Sequence, residues 1–93
     1  MREIQIEKAL NKAVYGMGGL SIKFISPGFD GVPDRLVLFP GKNLAFIELK
    51  APNKKMRPLQ VKRKTQLEAL GFPVYCIDRM EQIGGILDEI RTA

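Results

Sequence analysis

The feature that most constrains the fold is a pair of short apolar segments in the middle of the chain, separated by a turn sequence. Arg35 to Phe39 and Leu44 to Lys50 are rich in Leu, Val, Phe and Ile. Between them lies Pro40-Gly41-Lys42-Asn43, which contains residues that favour a tight turn. Two strands joined by so short a connection must pair antiparallel, so the sequence predicts a β-hairpin.

Helical and strand patterns flank this hairpin on both sides. Ile6, Leu10 and Val14 fall on one face of a first helix, and glycines follow where that helix should end. Pro58 and Gly71 suit the beginning and the end of a second helix. The predicted elements are helices over 3–17, 58–70 and 79–91 and further strands over 21–26 and 73–77. The order α-β-β-β-α-β-α predicts an α/β fold in one domain, residues 1–93, because a chain of this length builds one core.

Two residue types that many enzymes use are almost missing. The chain has no histidine, which excludes Ser-His-Asp triads, nucleases that bind metal through histidine, and most zinc sites. Its one cysteine, Cys76, cannot form a disulfide within the chain. Cys76 lies in the apolar run 73–77 and has no histidine to activate it, so we interpret it as a buried structural residue.

The sequence does not resemble that of a membrane protein or a secreted one. Its apolar runs stay well below the about 18 residues that a membrane span requires. The N-terminal residues Met1 to Glu7 lack the apolar stretch of a signal peptide. We therefore expect no membrane association and a cytoplasmic location.

Basic residues are unevenly distributed. Lysine and arginine number 15 against 10 acidic residues, and the net charge of +5 favours a polyanionic partner only weakly by itself. Residues 50–64, called the basic segment below, contain no acidic residue. The seven basic residues of this segment are Lys50, Lys54, Lys55, Arg57, Lys62, Arg63 and Lys64. The segment is either a solvated charged face or a surface that contacts phosphates, with an affinity that falls steeply with salt.

Three ionisable residues gather at one end of the predicted hairpin. Asp34 lies where the turn-rich loop 27–33 enters the first strand. Glu48 and Lys50 are two residues apart near the end of the second strand, so both point to the same face of the sheet. Pairing of the two strands would bring Asp34, Glu48 and Lys50 together.

Two carboxylates and an ammonium group have a clear chemical use together. Carboxylate oxygens are ligands that Mg²⁺ and Mn²⁺ prefer. Such a metal ion polarises a phosphate and lowers the pKa of an attacking water, and a nearby lysine orients that water or neutralises charge on the phosphate. On spacing alone, however, an exposed hairpin with an Asp cap and a Glu-x-Lys pair is the simpler explanation.

The residues around these positions favour the chemical interpretation. Gly31-Val32-Pro33-Asp34, followed by a strand and then by Glu48-Leu49-Lys50, resembles the PD-(D/E)xK nuclease superfamily. Lys50-Ala51-Pro52-Asn53 and Arg57-Pro58-Leu59-Gln60 are more narrowly similar to the virus-type replication-repair nuclease (VRR-NUC) family. The resemblance extends from the first predicted helix to the last strand. It implies a restriction-endonuclease-like α-β-β-β-α-β core with a C-terminal helix, in which helices flank a mixed central sheet.

The resemblance implies a role for each matched residue of the hairpin. Asp34 and Glu48 would bind a metal ion, Mg²⁺ or Mn²⁺, with the backbone carbonyl of Leu49 as a further ligand. Lys50 would be the catalytic lysine. The expected catalytic set consists of Asp34, Glu48, Lys50 and Gln60.

Two further positions have competing candidates. Gln60, at the start of the second helix, would support the site by hydrogen bonds near the attacking water or the phosphate, whereas the spacing of Gln66 from Lys50 fits the family less well. The family also uses a glutamate of the first helix. Glu3 lies about 50° from the centre of that helix's apolar face and Glu7 about 90°, so we favour Glu3 as the metal ligand. Either residue is also explained as an acid that stabilises the first helical turn.

DNA is the partner that the resemblance implies. The expected DNA-contacting residues are Arg35, Lys54, Lys55, Arg57, Lys62 and Lys64. For Arg35, a surface role explains the sequence equally well. Gly28 and Gly31 are expected to supply backbone conformations that let Asp34 reach the metal.

The substrate is predicted from the small size of the chain. Minimal members of the family resemble Holliday-junction resolvases and often come from phages or prophages, so we predict a structure-selective DNA endonuclease that resolves four-way junctions in a bacterial or phage-infected cell. The alternatives are a flap or nicking nuclease that acts as a monomer, an RNA-directed or single-strand nuclease, and a basic module that binds nucleic acid without cutting it. The scarcity of aromatic residues argues against a stacking platform for unpaired bases.

Resolving a four-way junction requires two opposed cuts, so we predict a homodimer. Val61 falls on the side of its helix opposite Leu59 and Leu70, where a monomer would favour a polar residue. Gly84 and Gly85 weaken the last helix by about 1 kcal/mol each relative to alanine. A break there would permit close packing of helices between subunits.

Overall fold

A computed structural model describes all 93 residues and contains three α-helices and four β-strands. The helices are α1 (Glu3–Gly16), α2 (Pro58–Ala69) and α3 (Ile83–Arg91), and the strands are β1 (Leu20–Lys23), β2 (Arg35–Phe39), β3 (Asn43–Leu49) and β4 (Val74–Ile77). A short 3-10 turn, Met80–Gln82, precedes α3. The predicted order α-β-β-β-α-β-α is confirmed.

The four strands form one mixed sheet in the order β1-β2-β3-β4. β1, β2 and β3 pair antiparallel, whereas β4 lies parallel to β3. A tight turn cannot connect parallel neighbours, so the chain crosses over through α2 between β3 and β4. None of the helices has the length and apolar character that crossing a bilayer requires.

The hydrophobic core lies between one face of the sheet and the helices α1 and α3. Side chains alternate along β3, so that Ala45, Ile47 and Leu49 enter the core while Glu48 belongs to the opposite face. The core cluster consists of Ile6, Leu10, Val14, Val37, Phe39, Ala45, Ile47, Leu49, Ile77, Ile83, Leu87 and Ile90. It fixes the position of the sheet and therefore of the residues at the ends of β2 and β3.

Helix α2 lies on the opposite side of the molecule and is mostly exposed. Gln60 is its only buried residue. Val61 is exposed, as predicted, but so are Leu59 and Leu70, the latter with 72% of its surface accessible. The expectation that Leu59 and Leu70 mark a buried side of this helix is therefore wrong. The helix contacts β4 and the loop before Asp34, and none of its apolar side chains is fully buried.

The face of the sheet opposite the core is only partly covered. Residues paired directly across antiparallel strands share a face, and the register aligns Leu20 with Leu38 and Leu38 with Leu44. This uncovered region, called the open sheet face below, consists of Leu20, Ile22, Leu36, Leu38, Leu44 and Phe46. All six are apolar and none is fully buried. The ring of Phe46 is partly covered by those of Phe24 and Phe72.

Two predicted elements differ from the observed ones by more than one residue. Strand β1 ends at Lys23 rather than at residue 26, because after one more backbone hydrogen bond, from Phe24 N to Asp34 O (2.9 Å), the chain leaves the sheet. Helix α3 begins at Ile83, after the 3-10 turn, rather than at residue 79. Gly84 lies inside α3 with Gly85 and does not break it, so the expected interruption there is wrong. The burial of three apolar residues of α3 offsets the weak helix propensity of the two glycines.

Candidate active site

The pairing of β2 with β3 places two carboxylates opposite each other. Arg35 is paired with Ile47, and one further step in this antiparallel register sets Asp34 opposite Glu48. The Asp34 side chain is fixed by a hydrogen bond, in which Oδ2 accepts from the backbone N–H of Leu49 at 2.9 Å. One carboxylate oxygen of Asp34 is thus used to hold the end of β3, while the other remains available to a ligand.

The loop that carries Asp34 packs against the beginning of α2 at Gly31. Gly31 has φ of +86°, and a Cβ atom there would lie 2.7 Å from Leu59 Cγ and 3.1 Å from the Leu59 carbonyl oxygen. Only glycine tolerates both the conformation and the close approach. Gly28 also has a positive φ, so the special backbone conformations predicted for these two glycines are confirmed. The contact at Gly31 sets the distance between Asp34 and the first turn of α2.

Glu48 is the most unusual side chain of the site. Only 1% of its surface is exposed, and no donor reaches either of its carboxylate oxygens. Burial first, and then the neighbouring carboxyl group of Asp34, raise the pKa of Glu48 to about 8, while the charge of Lys50 opposes the shift. Two neighbouring carboxylates can share a hydrogen bond only while one of them is protonated. The pair therefore binds either a proton or a cation.

A cleft of about 480 Å³ opens beside this pair of carboxylates. Residues from α1, from both strands of the hairpin and from the connection to α2 contribute to it. It is lined by Glu3, Asp34, Glu48, Leu49, Lys50, Ala51, Lys54, Lys55, Arg57 and Gln60. Every residue predicted to be catalytic or to bind metal therefore lies at one cleft, and three of the predicted DNA-contacting residues, Lys54, Lys55 and Arg57, lie there too.

The two glutamates of the first helix have different surroundings in the structure. Glu3 lines the cleft together with Asp34 and Glu48. Glu7 forms an ion pair with Arg35, with 3.1 Å between Glu7 Oε2 and Arg35 Nη1. Glu3 is therefore the α1 carboxylate that is free to serve the cleft, and the side chain of Glu7 is already engaged.

The two glutamines of α2 differ in the same way. Gln60 lines the cleft, and its Oε1 accepts a hydrogen bond from the backbone N–H of Arg57 at 2.8 Å. That bond orients the amide so that its nitrogen, which donates to no protein atom, is left for a ligand. Gln66 lies outside the cleft and accepts a hydrogen bond from Arg63. Of the two, only Gln60 is placed to act there.

The donor set at the cleft fits a hard divalent cation. The two unpaired oxygens of Glu48 and the free oxygen of Asp34 are carboxylate ligands of the kind that Mg²⁺ prefers. The chain contains no compact group of three His, Cys, Asp or Glu side chains, so Glu3 stands farther from the pair than a direct ligand shell needs. Few protein ligands are typical of Mg²⁺ sites, because the ion keeps several of its waters.

Arg35 is the predicted DNA contact whose placement disagrees with that role. Its side chain is only 11% exposed and points toward α1, where it pairs with Glu7 and donates to Ser21. Arg35 directly follows Asp34, and neighbouring residues of a strand point to opposite faces. That alternation was the available signal that Arg35 could not face the same cleft as Asp34.

The other basic residues of α2 are not equally free. Lys62 is exposed, as a phosphate contact requires. Lys64 forms an ion pair with Glu68, with 3.0 Å between the nitrogen and the carboxylate oxygen. Arg63 lies 3.8 Å above the ring of Phe29 and donates to the carbonyl of Asp30. Arg63 therefore ties α2 to the loop before Asp34, a contact that the sequence did not reveal.

Cys76 is half-buried rather than fully buried and lies beside the site, as the partner of Glu48 in the β3–β4 ladder. Burial raises the pKa of the Cys76 thiol, and the negative charge of Glu48 raises it further. A raised thiol pKa lowers the fraction of reactive thiolate. This supports the interpretation of Cys76 as a structural residue.

Comparison with known proteins identifies the family. No family model matches the sequence. The chain is 44% identical over 81 residues to "Putative nuclease p44" of Acyrthosiphon pisum secondary endosymbiont phage 1, and the match covers 87% of each protein. Among solved structures it is similar to a "VRR_NUC domain", with 26% identity and a TM-score of 0.86 over 92% of this chain and 94% of the other. The chain belongs to the VRR-NUC family. It is a nuclease domain of the PD-(D/E)xK superfamily, and the expected restriction-endonuclease-like fold is confirmed.

The buried Glu48 of this VRR-NUC domain should make its metal-free form less stable as the pH rises. Between the ordinary carboxyl pKa of 4.5 and about 8, folded Glu48 keeps a proton that the unfolded chain releases. Stability therefore falls through this window, by at most about 1.4 kcal/mol per pH unit. Urea unfolding in chelator at several pH values measures the slope.

The matched control for this measurement is Glu48→Gln, which has no proton to lose and should show a flatter profile. Saturating Mg²⁺ should restore stability to the unsubstituted protein at about pH 8 but not to Glu48→Gln. Equal slopes for the two proteins would show that Glu48 does not retain its proton in the folded state.

Proposed function

We propose that this VRR-NUC domain is a metal-dependent endonuclease that hydrolyses the phosphodiester backbone of DNA. The observation that carries the proposal is the pair Asp34 and Glu48, with Glu48 buried without a donor, at one wall of a cleft whose other wall is basic. A site that attracts a cation next to one that attracts phosphate is the arrangement that metal-assisted phosphate hydrolysis needs.

The carboxylates and one backbone oxygen are the proposed metal ligands. Asp34 and Glu48 would hold Mg²⁺ or Mn²⁺ directly, with the carbonyl of Leu49, and Glu3 would act from the opposite side of the cleft. The bound ion would polarise the scissile phosphate and lower the pKa of the attacking water. No zinc site competes with this assignment, because the chain offers no histidine and a single cysteine.

Lys50 and Gln60 are the proposed groups that act on the water and the phosphate. Lys50 follows β3, two residues after Glu48, and its backbone N–H is fixed by a hydrogen bond to the carbonyl of Ile77 at 2.9 Å. Lys50 lines the cleft, and its ammonium group would orient the water or offset charge that develops on the phosphate. The free amide nitrogen of Gln60 would donate to the same oxygens.

DNA is the proposed substrate because the cleft continues into a basic surface. Lys54, Lys55 and Arg57 line the cleft, and Lys62 extends this surface along α2. Recognition by such a surface would depend on the backbone and on the shape of the DNA. We favour a branched substrate, a four-way junction, with a flap or nicked duplex as the alternative. The phage relative favours a role in the cytoplasm of a bacterial or phage-infected cell.

Homodimerisation is proposed through the open sheet face. Two opposed cuts in a junction need two copies of a domain that has one cleft. The open sheet face carries six apolar residues and no charge, so two copies with a net charge of +5 each can meet there without opposing like charges. It covers three adjacent strands, roughly 10 Å across and about 15 Å along them, which suits the apolar centre of an interface with a polar rim.

Substitution of the cleft carboxylates should abolish cleavage without abolishing DNA binding. We expect Asp34→Asn, Glu48→Gln and Lys50→Ala each to lower the cleavage rate at least about a hundredfold, the scale of removing a major transition-state interaction. DNA affinity of the two carboxylate variants should be equal or higher, because neither substitution adds negative charge to the cleft. The assay is cleavage of labelled junction, flap, duplex and single-strand DNAs in Mg²⁺, in Mn²⁺ and in chelator.

Asp30→Asn is the matched control for Asp34→Asn, because Asp30 is four residues away but does not line the cleft. It should cleave at the unsubstituted rate. Full activity of Asp34→Asn, or cleavage that persists in chelator, would falsify the proposed metal-dependent mechanism. Cutting of RNA or single strands alone would instead replace DNA junctions as the substrate.

Neutralising the basic wall of the cleft should weaken binding to all DNA sequences alike. We expect Lys54→Gln with Lys55→Gln to lower the affinity and to reduce the slope of log K against log salt by about 2, roughly one unit for each phosphate that is no longer neutralised. The control, Lys8→Gln with Lys12→Gln, removes the same charge from exposed positions of α1 that do not line the cleft. Equal salt slopes for the two double variants would contradict a phosphate contact in the cleft.

Light scattering at micromolar concentration should give about 21 kDa, twice the chain mass of 10.4 kDa. Ile22→Lys introduces a charge on the open sheet face, where Ile22 is 45% exposed, and should yield the monomer with the fold unchanged. Tyr15→Lys, at an exposed position of α1, should remain a dimer. A monomer in the unsubstituted protein, even when bound to a junction, would leave the flap or nicking nuclease as the better assignment.

A further inference from the structure

The residue after Asp34 forms the most extensive side-chain network in the molecule. The guanidinium of Arg35 donates from Nε to Ser21 Oγ at 2.8 Å, from Nη2 to the Ser21 carbonyl at 3.0 Å, and from Nη1 to Glu7 Oε2 at 3.1 Å. Ser21 Oγ donates in turn to Asn11 Oδ1 at 2.7 Å. All three nitrogens of Arg35 are therefore used.

The side chains of this network are largely shielded from water. The side chain of Arg35 is 11% exposed, that of Glu7 is half-buried, and Ser21 is buried. A buried guanidinium is costly unless each of its donors finds an acceptor, and a planar fork can bind several acceptors at once. Lysine has the same charge but cannot reach the carboxylate, the hydroxyl and the carbonyl together.

The network supplies all the side-chain hydrogen bonds that join α1 to the sheet. Glu7 and Asn11 belong to α1, Ser21 to β1 and Arg35 to β2. The apolar contacts of Ile6 with the core keep the helix against the sheet, but such contacts are not directional. The position of α1 along its own axis and its rotation therefore depend on the polar contacts.

The part of α1 that this network fixes carries Glu3. Glu3 and Glu7 are four residues apart, so they lie on the same side of the helix, separated by about 6 Å along its axis. A small cavity of about 230 Å³ is lined by both glutamates and by Asp34, and it adjoins the cleft, which Glu3 and Asp34 also line. A shift of α1 against β2 would therefore change the distance from Glu3 to Asp34 directly.

We propose that Arg35 is a positioning residue that sets the place of Glu3 over the carboxylate pair, rather than a residue that contacts phosphate. Asp34 lies at the cleft, whereas the next residue, Arg35, contacts α1. One of two consecutive residues therefore belongs to the carboxylate pair, and the other contacts the helix that carries Glu3. This inference rests on the proposed function in one respect, because it requires that Glu3 assist the binding of a cation by Asp34 and Glu48.

Metal binding without DNA tests the inference, because it separates positioning from phosphate contact. The affinity for Mn²⁺, and for Ca²⁺ as a second probe, is measured by titration calorimetry on Arg35→Lys and on Glu7→Gln. Each substitution should weaken metal binding about tenfold, the scale of removing a residue that supports a ligand. Combining the two should weaken it by less than the product of the two single effects, because both substitutions disrupt the same network. Asp88→Asn breaks a different ion pair, with Arg91 on α3, and should leave metal affinity unchanged.

The effect must depend on Glu3 if Arg35 acts through it. In a Glu3→Gln background, Arg35→Lys should cause no further loss of metal affinity, whereas simple destabilisation of the fold would weaken binding equally in both backgrounds. Equal losses in both backgrounds would overturn the inference. So would unchanged metal affinity in Arg35→Lys with weaker metal-free DNA binding, which would restore the phosphate contact.

The same titrations distinguish the positioning role of Arg35 from the proposed function. Unchanged metal affinity in both Arg35→Lys and Glu7→Gln, in a protein that binds metal, overturns the positioning role and leaves the nuclease mechanism intact. An unsubstituted protein that binds neither cation overturns both. If Arg35→Lys does not fold, Glu7→Gln decides alone, because Glu7 is half-buried and its replacement keeps the shape of the side chain.

Discussion

A carboxylate removed from water without a hydrogen-bond donor is the constraint around which this molecule is organised. Burying an isolated charge costs several kcal/mol even after the surroundings relax, and an apolar residue in place of Glu48 would remove that cost. The alternation of β3 places Glu48 on the face away from the core, and the register with β2 sets Asp34 beside it. Stability alone does not explain this arrangement. The cation proposed to be shared by both carboxylates would explain it.

The hairpin and its register could be predicted from the sequence because both depend on short-range patterns. Alternation with a period of two residues determines the face of each side chain, and the turn around Gly41 limits the possible pairings. Asp34 and Glu48 therefore converge in the structure as the pattern indicated. The same alternation, applied one residue further, predicts that Arg35 points away from the cleft, although its charge alone suggested a contact with DNA.

What could not be predicted depends on contacts between distant parts of the chain. Helix α2 has a weak apolar stripe, and its position is set by Gly31 against Leu59 and by Arg63 on the ring of Phe29. The positions of these partners follow only from the assembled fold, so the exposure of Leu70 could not be inferred from helical periodicity. Contacts of this kind contribute about 1 kcal/mol each. The basic wall of the cleft therefore lies on a connection that leads into a helix with fewer buried residues than α1 or α3.

The parallel pairing of β3 with β4 has a consequence for the order in which the protein folds. The β2–β3 hairpin closes through a short turn, whereas β4 reaches β3 only after residues 50–73 have crossed over. Local pairs generally form before distant ones, because less chain entropy is lost in closing a short loop. Asp34 and Glu48 thus meet first in a solvated hairpin, where water screens their repulsion. We expect Glu48 to lose its water only when β4 docks beside it, so that its proton uptake would belong to that late step. The burial of Glu48 would then take place when the hydrophobic core is nearly complete. The stability gained from the core would offset the cost of that burial.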